Sequence, residues 1–228
     1  MKTVLVTGTK LGVGKSLVTE LSNLGYSVIA TSRDPNYLIQ NKKDFGWSEN
    51  VYIEQLDLSD KLSIESLYKK YENTKLDILV NNAAGGSYYE DNGDNLFESF
   101  LYANSLNVGG PAYLTKLFTK NLKQSDNPTV IFISSFAGKY PYPGDITYCV
   151  SKSGVSTLAQ VFRIELPPMN IKVTEIRPSS INTRDNNPNL SHLNVDDIVN
   201  TIIWVSELPK HCNIDVIEMS EIRTRKHI

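Results

Sequence analysis

Residues 3–14, TVLVTGTKLGVG, decide how this chain begins to fold. The β-branched and apolar run at 3–6 is typical of a buried strand, and three glycines, Gly8, Gly12 and Gly14, follow it directly. Beyond them the apolar residues recur with the spacing of one helix face. The segment therefore predicts a strand, a glycine-rich turn and a helix in immediate succession.

A turn of this kind suits a phosphate group. Glycines let backbone N–H groups approach a pyrophosphate, which also faces the positive end of the helix dipole, so Gly8, Gly12, Val13 and Gly14 are expected to contact a nucleotide. A P-loop is the rival interpretation, because Gly14-Lys15-Ser16 supplies its ending and longer loop variants could start at Gly8. This motif alone leaves hydride chemistry and phosphate chemistry both open.

The rest of the chain repeats the alternation of strand and helix. Seven short apolar runs are nearly continuous in hydrophobicity, which is typical of parallel strands covered by helices on both faces. The predicted strands are 3–6, 28–31, 51–53, 78–80, 130–133, 171–173 and 214–217, and the predicted helices are 12–25, 59–72, 95–123, 147–166 and 195–207. We predict an α/β fold, a single-domain Rossmann-type doubly wound parallel sheet of about seven strands spanning 1–228.

Composition excludes several classes of function. The chain has 228 residues, with 23 Lys and Arg against 25 Asp and Glu, so its net charge of −2 offers no basic field for nucleic acid. No apolar run approaches the ~18 residues of a membrane span, and the N-terminal residues do not resemble a signal peptide. Two cysteines are too few for a disulfide framework or a structural zinc site. We expect a cytoplasmic protein without a metal, a membrane anchor or a nucleic-acid partner.

The end of the second strand bears on which dinucleotide binds. An acid at this position accepts from a free ribose 2′-hydroxyl, whereas a guanidinium pairs with a 2′-phosphate. Here Ser32 stands where the acid is expected and Arg33 follows, which favours NADP over NAD, although Asp34 keeps NAD open. After the third strand, Asp57 is either an acceptor for the adenine amino group or a residue of the helix start.

Tyr148-x-x-x-Lys152 places a phenol and an ammonium one helical turn apart. A neighbouring cation lowers the pKa of a phenol, so Tyr148 can exchange a proton with a carbonyl or alcohol oxygen. Tyr71 and Lys75 have the same spacing, but only Tyr148 is preceded by a strand that ends in Ser134 and Ser135. Active sites of parallel sheets are built at such strand ends.

Together these motifs resemble those of the short-chain dehydrogenase/reductase family over essentially the whole chain. The matching positions are Thr7-Gly8-x-x-x-Gly12-x-Gly14, the run Leu79-Val80-Asn81-Asn82-Ala83, Asn107, Ser135 and Tyr148-x-x-x-Lys152. Their joint order removes the P-loop interpretation. The tail from 204 to 219 is similar to the branch that includes bacterial NADP-dependent 3-hydroxy acid dehydrogenases.

The resemblance implies a role for each catalytic position. Tyr148 would be the general acid/base, Ser135 would polarise the substrate carbonyl, and Lys152 would lower the pKa of the phenol and hold the nicotinamide ribose. Asn107 would position a water that links Lys152 to solvent. The glycines and proline at 109–111 suggest a helix interrupted there, which can free a carbonyl for that water.

The resemblance also implies that Asn82, Ala83, Pro178 and Thr183 line the cofactor, which would be NADP(H). This chain departs from the family in three places: Ala84 precedes Gly85, Ser179 replaces the glycine after Pro178, and Leu11 stands where many NADP-preferring members carry a basic residue.

The substrate is the least determined part. A short loop at 184–194 replaces a longer lid, and Ser87, Phe136, Tyr142 and Arg184 are the candidate wall residues. We expect an NADPH-dependent carbonyl reductase, or the reverse alcohol dehydrogenase, that acts on a small molecule. It would be a homodimer or homotetramer built on helices 95–123 and 147–166. The alternative is a catalytically silent nucleotide-binding regulatory protein with the same fold.

Overall fold

Parallel strands form the centre of the molecule, and a computed structural model describes residues 1–85, 95–183 and 192–222. The strands are β1 (Thr3–Val6), β2 (Ser27–Ser32), β3 (Val51–Gln55), β4 (Ile78–Asn81), β5 (Thr129–Ile133), β6 (Lys172–Pro178), β7 (Ile181–Asn182), β8 (Leu193–Asn194) and β9 (Val216–Met219). Seven of them form one sheet in the order β3-β2-β1-β4-β5-β6-β9, and every pairing in it is parallel. The order reverses direction at β1 and β4, which is the switch point where such sheets bind ligands.

The helices lie on both faces of this sheet. They are α1 (Gly12–Asn23), α2 (Pro35–Asn41), α3 (Lys61–Tyr71), α4 (Leu96–Asn104), α5 (Gly110–Leu122), α6 (Ile146–Glu165) and α7 (Val195–Glu207). A π-helical turn, Ser105–Gly109, joins α4 to α5, and a 3₁₀ turn, Phe136–Gly138, follows β5. None of the helices in the described part of the chain is long and apolar enough to cross a bilayer.

Alternation along the central strands divides the core in two. In β1, Val4 and Val6 join the cluster under α1 and α7, whereas Leu5 joins the cluster under α3, α5 and α6. Side chains of a strand point to opposite faces in turn, so a strand covered on both sides must be apolar at every position. This is why the runs in the sequence are continuous, and the predicted doubly wound α/β fold is confirmed.

Three predictions need correction. Residues 35–41 form α2, which is not among the predicted helices, although Pro35 is a favourable first helical residue. The predicted helix 95–123 is not one continuous α-helix: the π turn divides it next to the glycines and proline at 109–111, where the sequence suggests an interruption. The predicted loop 184–194 ends in strand β8, which pairs with β7, whereas 184–191 lie outside the described residues.

Proline and close packing explain the break in the helix. Pro111 has no N–H to donate to the preceding turn. At Gly110 an added Cβ would come within 2.1 Å of the carbonyl oxygen of Leu58, so the backbone of α5 begins directly against the segment before α3. The chain meets both constraints by widening one turn, and π turns of this kind are common at functional sites.

Candidate active site

Helix α6 brings Tyr148 and Lys152 to the carboxyl end of β5. The Nζ atom of Lys152 donates a hydrogen bond of 3.1 Å to the carbonyl oxygen of Ile133, the last residue of that strand. Ser135 follows two residues later. At Gly138 an added Cβ would lie 2.6 Å from the carbonyl oxygen of Lys152, so only glycine lets this loop pack so closely on α6.

Lys152 is buried and close to the phenol. Its Nζ atom lies 5.8 Å from the centre of the Tyr148 ring, and burial lowers the pKa of Lys152 to about 8. The Tyr71 hydroxyl, by contrast, donates to Glu54 at 2.6 Å, and Lys75 pairs with Asp77 at 3.2 Å. Of the two Tyr-x-x-x-Lys pairs, therefore, Tyr148 and Lys152 are the pair that contacts the carboxyl end of β5.

Ser135 is buried at the start of the 3₁₀ turn. Its Oγ atom accepts a hydrogen bond of 3.2 Å from the backbone N–H of Ala137. Its hydroxyl hydrogen has no acceptor among the described residues, so the O–H remains able to donate to the oxygen of a bound molecule.

Asn107 lies in the π turn and is fully engaged by the protein. Its Nδ2 donates to the carbonyl of Gly85 at 2.8 Å and to the hydroxyl of Ser151 at 3.0 Å, and its Oδ1 accepts from the N–H of Gly85 at 3.0 Å. Asn107 thus connects the loop after β4 to α6, between Tyr148 and Lys152. Its role in holding a water stays a prediction.

The glycine turn after β1 is closed by contacts from the end of β4. Gly8 has a φ of 72°, and a Cβ there would come within 2.7 Å of the Cα of Ala83. The Asn82 amide donates to the carbonyls of Thr7 and Gly8 at 2.9 and 3.1 Å. At Gly14 a Cβ would meet the Gly8 oxygen at 2.2 Å, so no side chain fits in this cradle.

The first turn of α1 is open to an anion. No side chain caps its N-terminus at Leu11, and the first turn has no acidic residue. Gly12 has a φ of 58°, and a Cβ there would lie 3.5 Å from the side chain of Thr183; Val13 is buried. Uncapped N–H groups at a helix start are the donors that a pyrophosphate uses. The Lys15 ammonium lies over the Phe45 ring at 5.2 Å, which does not favour the P-loop interpretation.

The end of β2 carries both signs of charge. Ser32 is buried, and its hydroxyl accepts from the N–H of Asp34 at 3.1 Å. The exposed Arg33 donates to the Tyr102 hydroxyl at 2.5 Å. Lys10 pairs with Asp34 at 3.3 Å, so the acid beside the arginine has a cation of its own.

The other predicted cofactor residues have local roles as well. Asp57 accepts from the N–H and hydroxyl of Ser59 at 2.8 and 2.6 Å, a turn before α3, whose cap is Asp60. Pro178 ends β6. The Ser179 hydroxyl donates to Glu221 at 2.5 Å, so serine gives this loop an anchor that glycine would lack.

Two of the four predicted substrate residues are described. Phe136 is half-buried, with its ring 5.7 Å from that of Tyr140, and Tyr142 is half-exposed before α6. Ser87 and Arg184 lie outside the described residues. Within the described ranges no three His, Cys, Asp or Glu side chains could hold a metal ion together.

Comparisons with known proteins identify the family of the chain. A family model described as short chain dehydrogenase matches residues 2–193. An NADP-dependent 3-hydroxy acid dehydrogenase, YdfG of Escherichia coli O6:H1, is 30% identical over 236 residues, covering 96% of this chain and 94% of that protein. Two solved structures are also similar. The closed form of serine dehydrogenase complexed with NADP+ has a TM-score of 0.82 at 29% identity, over 95% of this chain and 94% of that one. An alcohol dehydrogenase from the archaeon Thermococcus sibiricus, complexed with 5-hydroxy-NADP, has a TM-score of 0.87 over all of both chains at 22% identity, a likeness of fold.

Proposed function

The chain belongs to the short-chain dehydrogenase/reductase family, and we propose that it transfers a hydride between NADP(H) and a ketone or aldehyde, or in reverse a secondary or primary alcohol. The observation that carries the proposal is the Lys152 bond to the last carbonyl of β5, because it brings Tyr148 and Lys152 to the strand end that leads to Ser135. The glycine turn, Asn82 and Ala83 lie at the ends of the neighbouring strands β1 and β4.

The residues present fit a dinucleotide phosphate. Gly8 and Gly14 let the turn after β1 pack closely on Ala83 and on itself, because a Cβ at either position would collide with the backbone, and the open start of α1 offers N–H donors for the pyrophosphate. Arg33 is exposed at the end of β2 and can pair with a 2′-phosphate, which favours NADP over NAD. When bound, NADPH supplies the hydride from C4 of its nicotinamide.

The chain's own residues would handle the proton. The Ser135 hydroxyl donates a hydrogen bond to the substrate carbonyl oxygen and orients it. As the carbonyl carbon gains the hydride, Tyr148 gives its phenolic proton to the oxygen, and the Lys152 ammonium stabilises the phenolate that results. A proton from solvent then restores Tyr148, and Asn107, which bridges Gly85 and Ser151, keeps the helix turn that carries both residues in place.

Small 3-hydroxy acids are the substrates that we propose to test first. The relatives are named for 3-hydroxy acids and for serine. Serine is itself a 3-hydroxy acid, because its hydroxyl is on the carbon next to the one that carries its amino group. Arg184 is the candidate partner for a substrate carboxylate, and Phe136 and Tyr142 are candidate walls.

We also propose a homodimer or homotetramer that works in the cytoplasm, where its cofactor would be available.

A cofactor-linked assay tests the proposal. Purified protein is mixed with NADP+ and L-serine, 3-hydroxypropionate or 3-hydroxybutyrate, and with NADPH and a panel of ketones and aldehydes, while nicotinamide absorbance is followed. Tyr148→Phe should lower kcat by at least about 100-fold, the usual contribution of an acid/base group. Its NADPH affinity, measured by calorimetry, should stay within about twofold, because the substitution removes only the hydroxyl and keeps the ring.

Tyr71→Phe is the matched control, since Tyr71 has the same spacing to a lysine but contacts Glu54 away from the site. It should leave kcat unchanged. Full activity of Tyr148→Phe would refute the mechanism. NADPH binding without turnover of any compound would favour the silent regulatory protein instead.

A further inference from the structure

A buried carboxylate next to the site has no part in the proposed proton transfer. Glu175, on β6, is completely buried. Its Oε1 accepts hydrogen bonds from the hydroxyls of Ser134 at 2.7 Å and Ser156 at 2.5 Å, and Arg177 binds both of its oxygens at 2.7 and 3.0 Å. Arg163 lies 4.0 Å away. Burial raises the pKa of Glu175, but the bonds from Arg177, Ser156 and Ser134 outweigh it, so the pKa lies below its usual value.

The two serines belong to the segments that carry the acid/base set. Ser134 directly precedes Ser135 at the end of β5, and its N–H also donates to Ile176 at 2.9 Å. Ser156 lies on α6, one helical turn beyond Lys152. A single carboxylate oxygen therefore ties the loop of Ser135 to the helix of Lys152.

Arg177 extends the connection to the other end of the same loop. Its Nη1 donates to Glu218 on β9 at 3.0 Å, and Glu218 accepts from Lys139 at 2.7 Å. Lys139 follows the 3₁₀ turn that begins after Ser135. Residues 134–139 are thus held at their first and last positions, and Glu175, Arg177 and Glu218, hereafter the ion-pair clamp, join the two points.

We propose that Glu175 is a positioning residue, which holds Ser135 and the Tyr148–Lys152 turn of α6 in the relative arrangement that proton transfer requires, with Arg177 as the cation that keeps it charged. The proposal rests on the proposed function. Hydrogen bonds to a charged group are directional and strong, so they fix a position more tightly than apolar contacts do. A displacement of about 1 Å among reacting groups can reduce a rate about 100-fold.

Charge-neutral pairs of substitutions test this role. Arg177→Met alone would leave a buried carboxylate without the cation that hydrogen-bonds both of its oxygens, which is strongly destabilising, so both charges are removed together. Glu175→Gln/Arg177→Met keeps an oxygen acceptor for the two serines, and Glu175→Leu/Arg177→Met removes it. The leucine pair should lower kcat by about 10- to 100-fold, and the glutamine pair by no more than about threefold. In both pairs KM and the dissociation constant of NADPH should stay within about twofold, because neither residue reaches the cofactor cradle.

Amide hydrogen exchange provides a reading that does not need turnover. In the leucine pair, peptides that cover 134–139 should exchange at least about tenfold faster than in the wild type, whereas peptides of α1 should not change. The control is Lys116→Met/Glu165→Gln, which removes an exposed ion pair of 2.5 Å between α5 and α6. It should change neither exchange in 134–139 nor kcat.

Each result has one meaning. Faster exchange with a lower kcat in the leucine pair, rescued by glutamine, supports the positioning role. If exchange is faster in the leucine pair but the wild type turns over no substrate, the ion-pair clamp does hold 134–139 and the proposed function is refuted. Unchanged exchange, or an unchanged kcat in an active protein, overturns the positioning role.

Discussion

Lys152 carries its amino group into the interior, where burial lowers its pKa from 10.5 to about 8. Between these two pH values the unfolded chain binds a proton at this lysine that the folded protein has released. The contribution of Lys152 to stability therefore rises with pH through this window and is lowest below pH 8, where the folded protein must bury the charge. The proposed catalytic lysine is held at a cost to stability.

We accordingly expect Lys152→Met to change the pH dependence of folding. Urea unfolding at pH 7 and pH 10 should show that the stability of the wild type rises relative to that of the variant by about 2.5 kcal/mol as the pH rises, since one pKa unit corresponds to about 1.4 kcal/mol. Lys75→Met, which removes a half-exposed lysine, controls for general effects of pH. An unchanged difference between wild type and Lys152→Met would contradict the burial of the charge.

A second prediction concerns the role of Arg33 in cofactor choice. Arg33→Ala should weaken NADP+ binding at least about tenfold and NAD+ binding less than about twofold, because only the former has the phosphate that a guanidinium pairs with. Calorimetry with both dinucleotides measures this. Lys15→Met is the control, since Lys15 lies over Phe45 and should affect both cofactors alike. Equal loss for both in Arg33→Ala would show that Arg33 does not read the phosphate.

Among the elements, α6 depends on the contacts of its first turn. Asp145 caps this helix by accepting from the N–H of Tyr148 itself at 3.1 Å. Asp145→Ala should cost about 1 kcal/mol of stability, and it should also lower kcat, because the turn that frays carries Tyr148. Asp145→Asn keeps an acceptor and should restore both.

The cap of α3 offers the matched comparison. Asp60 accepts from the N–H of Leu62 at 2.9 Å, at the start of a helix that carries none of the proposed acid/base residues. Asp60→Ala should lose a similar amount of stability in urea unfolding and none of the kcat. If Asp145→Ala were as active as Asp60→Ala, the cap would serve stability alone.

Elements also show what the sequence can and cannot predict. Strands such as β1 and β5 are predictable because burial on both faces leaves an unbroken apolar run. Asn194 or Asp196 is recognisable as a cap of α7, and the structure places Asn194 there, with its N–H donating to Asp197 at 2.8 Å. The break at Ser105–Gly109 is only hinted at by its glycines. Pro111 is one cause and is visible in the sequence, but the other is contact with Leu58, a residue far away along the chain, and no local pattern records such contacts.

The same division applies to the site. The family motifs identify Ser135, Tyr148 and Lys152 because they lie at fixed spacings within short segments. Glu175 escapes notice, because its partners come from β5, α6 and β6 and are assembled only by the sheet. A charged residue in the middle of a buried strand is the one available signal.

For the molecule as a whole, the outer faces of α4 and α6 suggest where a second copy would bind. Both helices expose large apolar side chains, namely Phe97, Leu101, Val161 and Ile164. If the proposed oligomer uses this face, Ile164→Glu should raise its dissociation constant at least about tenfold, as for a central interface residue. Light scattering across a dilution series measures this, and Leu62→Glu on the exposed face of α3 is the control. The same mass for wild type and Ile164→Glu at every dilution would place the interface elsewhere.

The wide turn at Ser105–Gly109 sets the rotational phase between the helices it joins. Each residue advances an α-helix by about 100°, so one extra residue rotates the whole of α4 relative to α5. With that residue, α5 keeps Leu114 and Phe118 on the sheet while Asn107 still reaches Gly85 and Ser151. Removing Val108 would bring the two helices into one phase. Either Leu114 and Phe118 would leave the core, or Asn107 would lose its bonds to Gly85 and Ser151. The length of this stretch is therefore as constrained as any of its side chains.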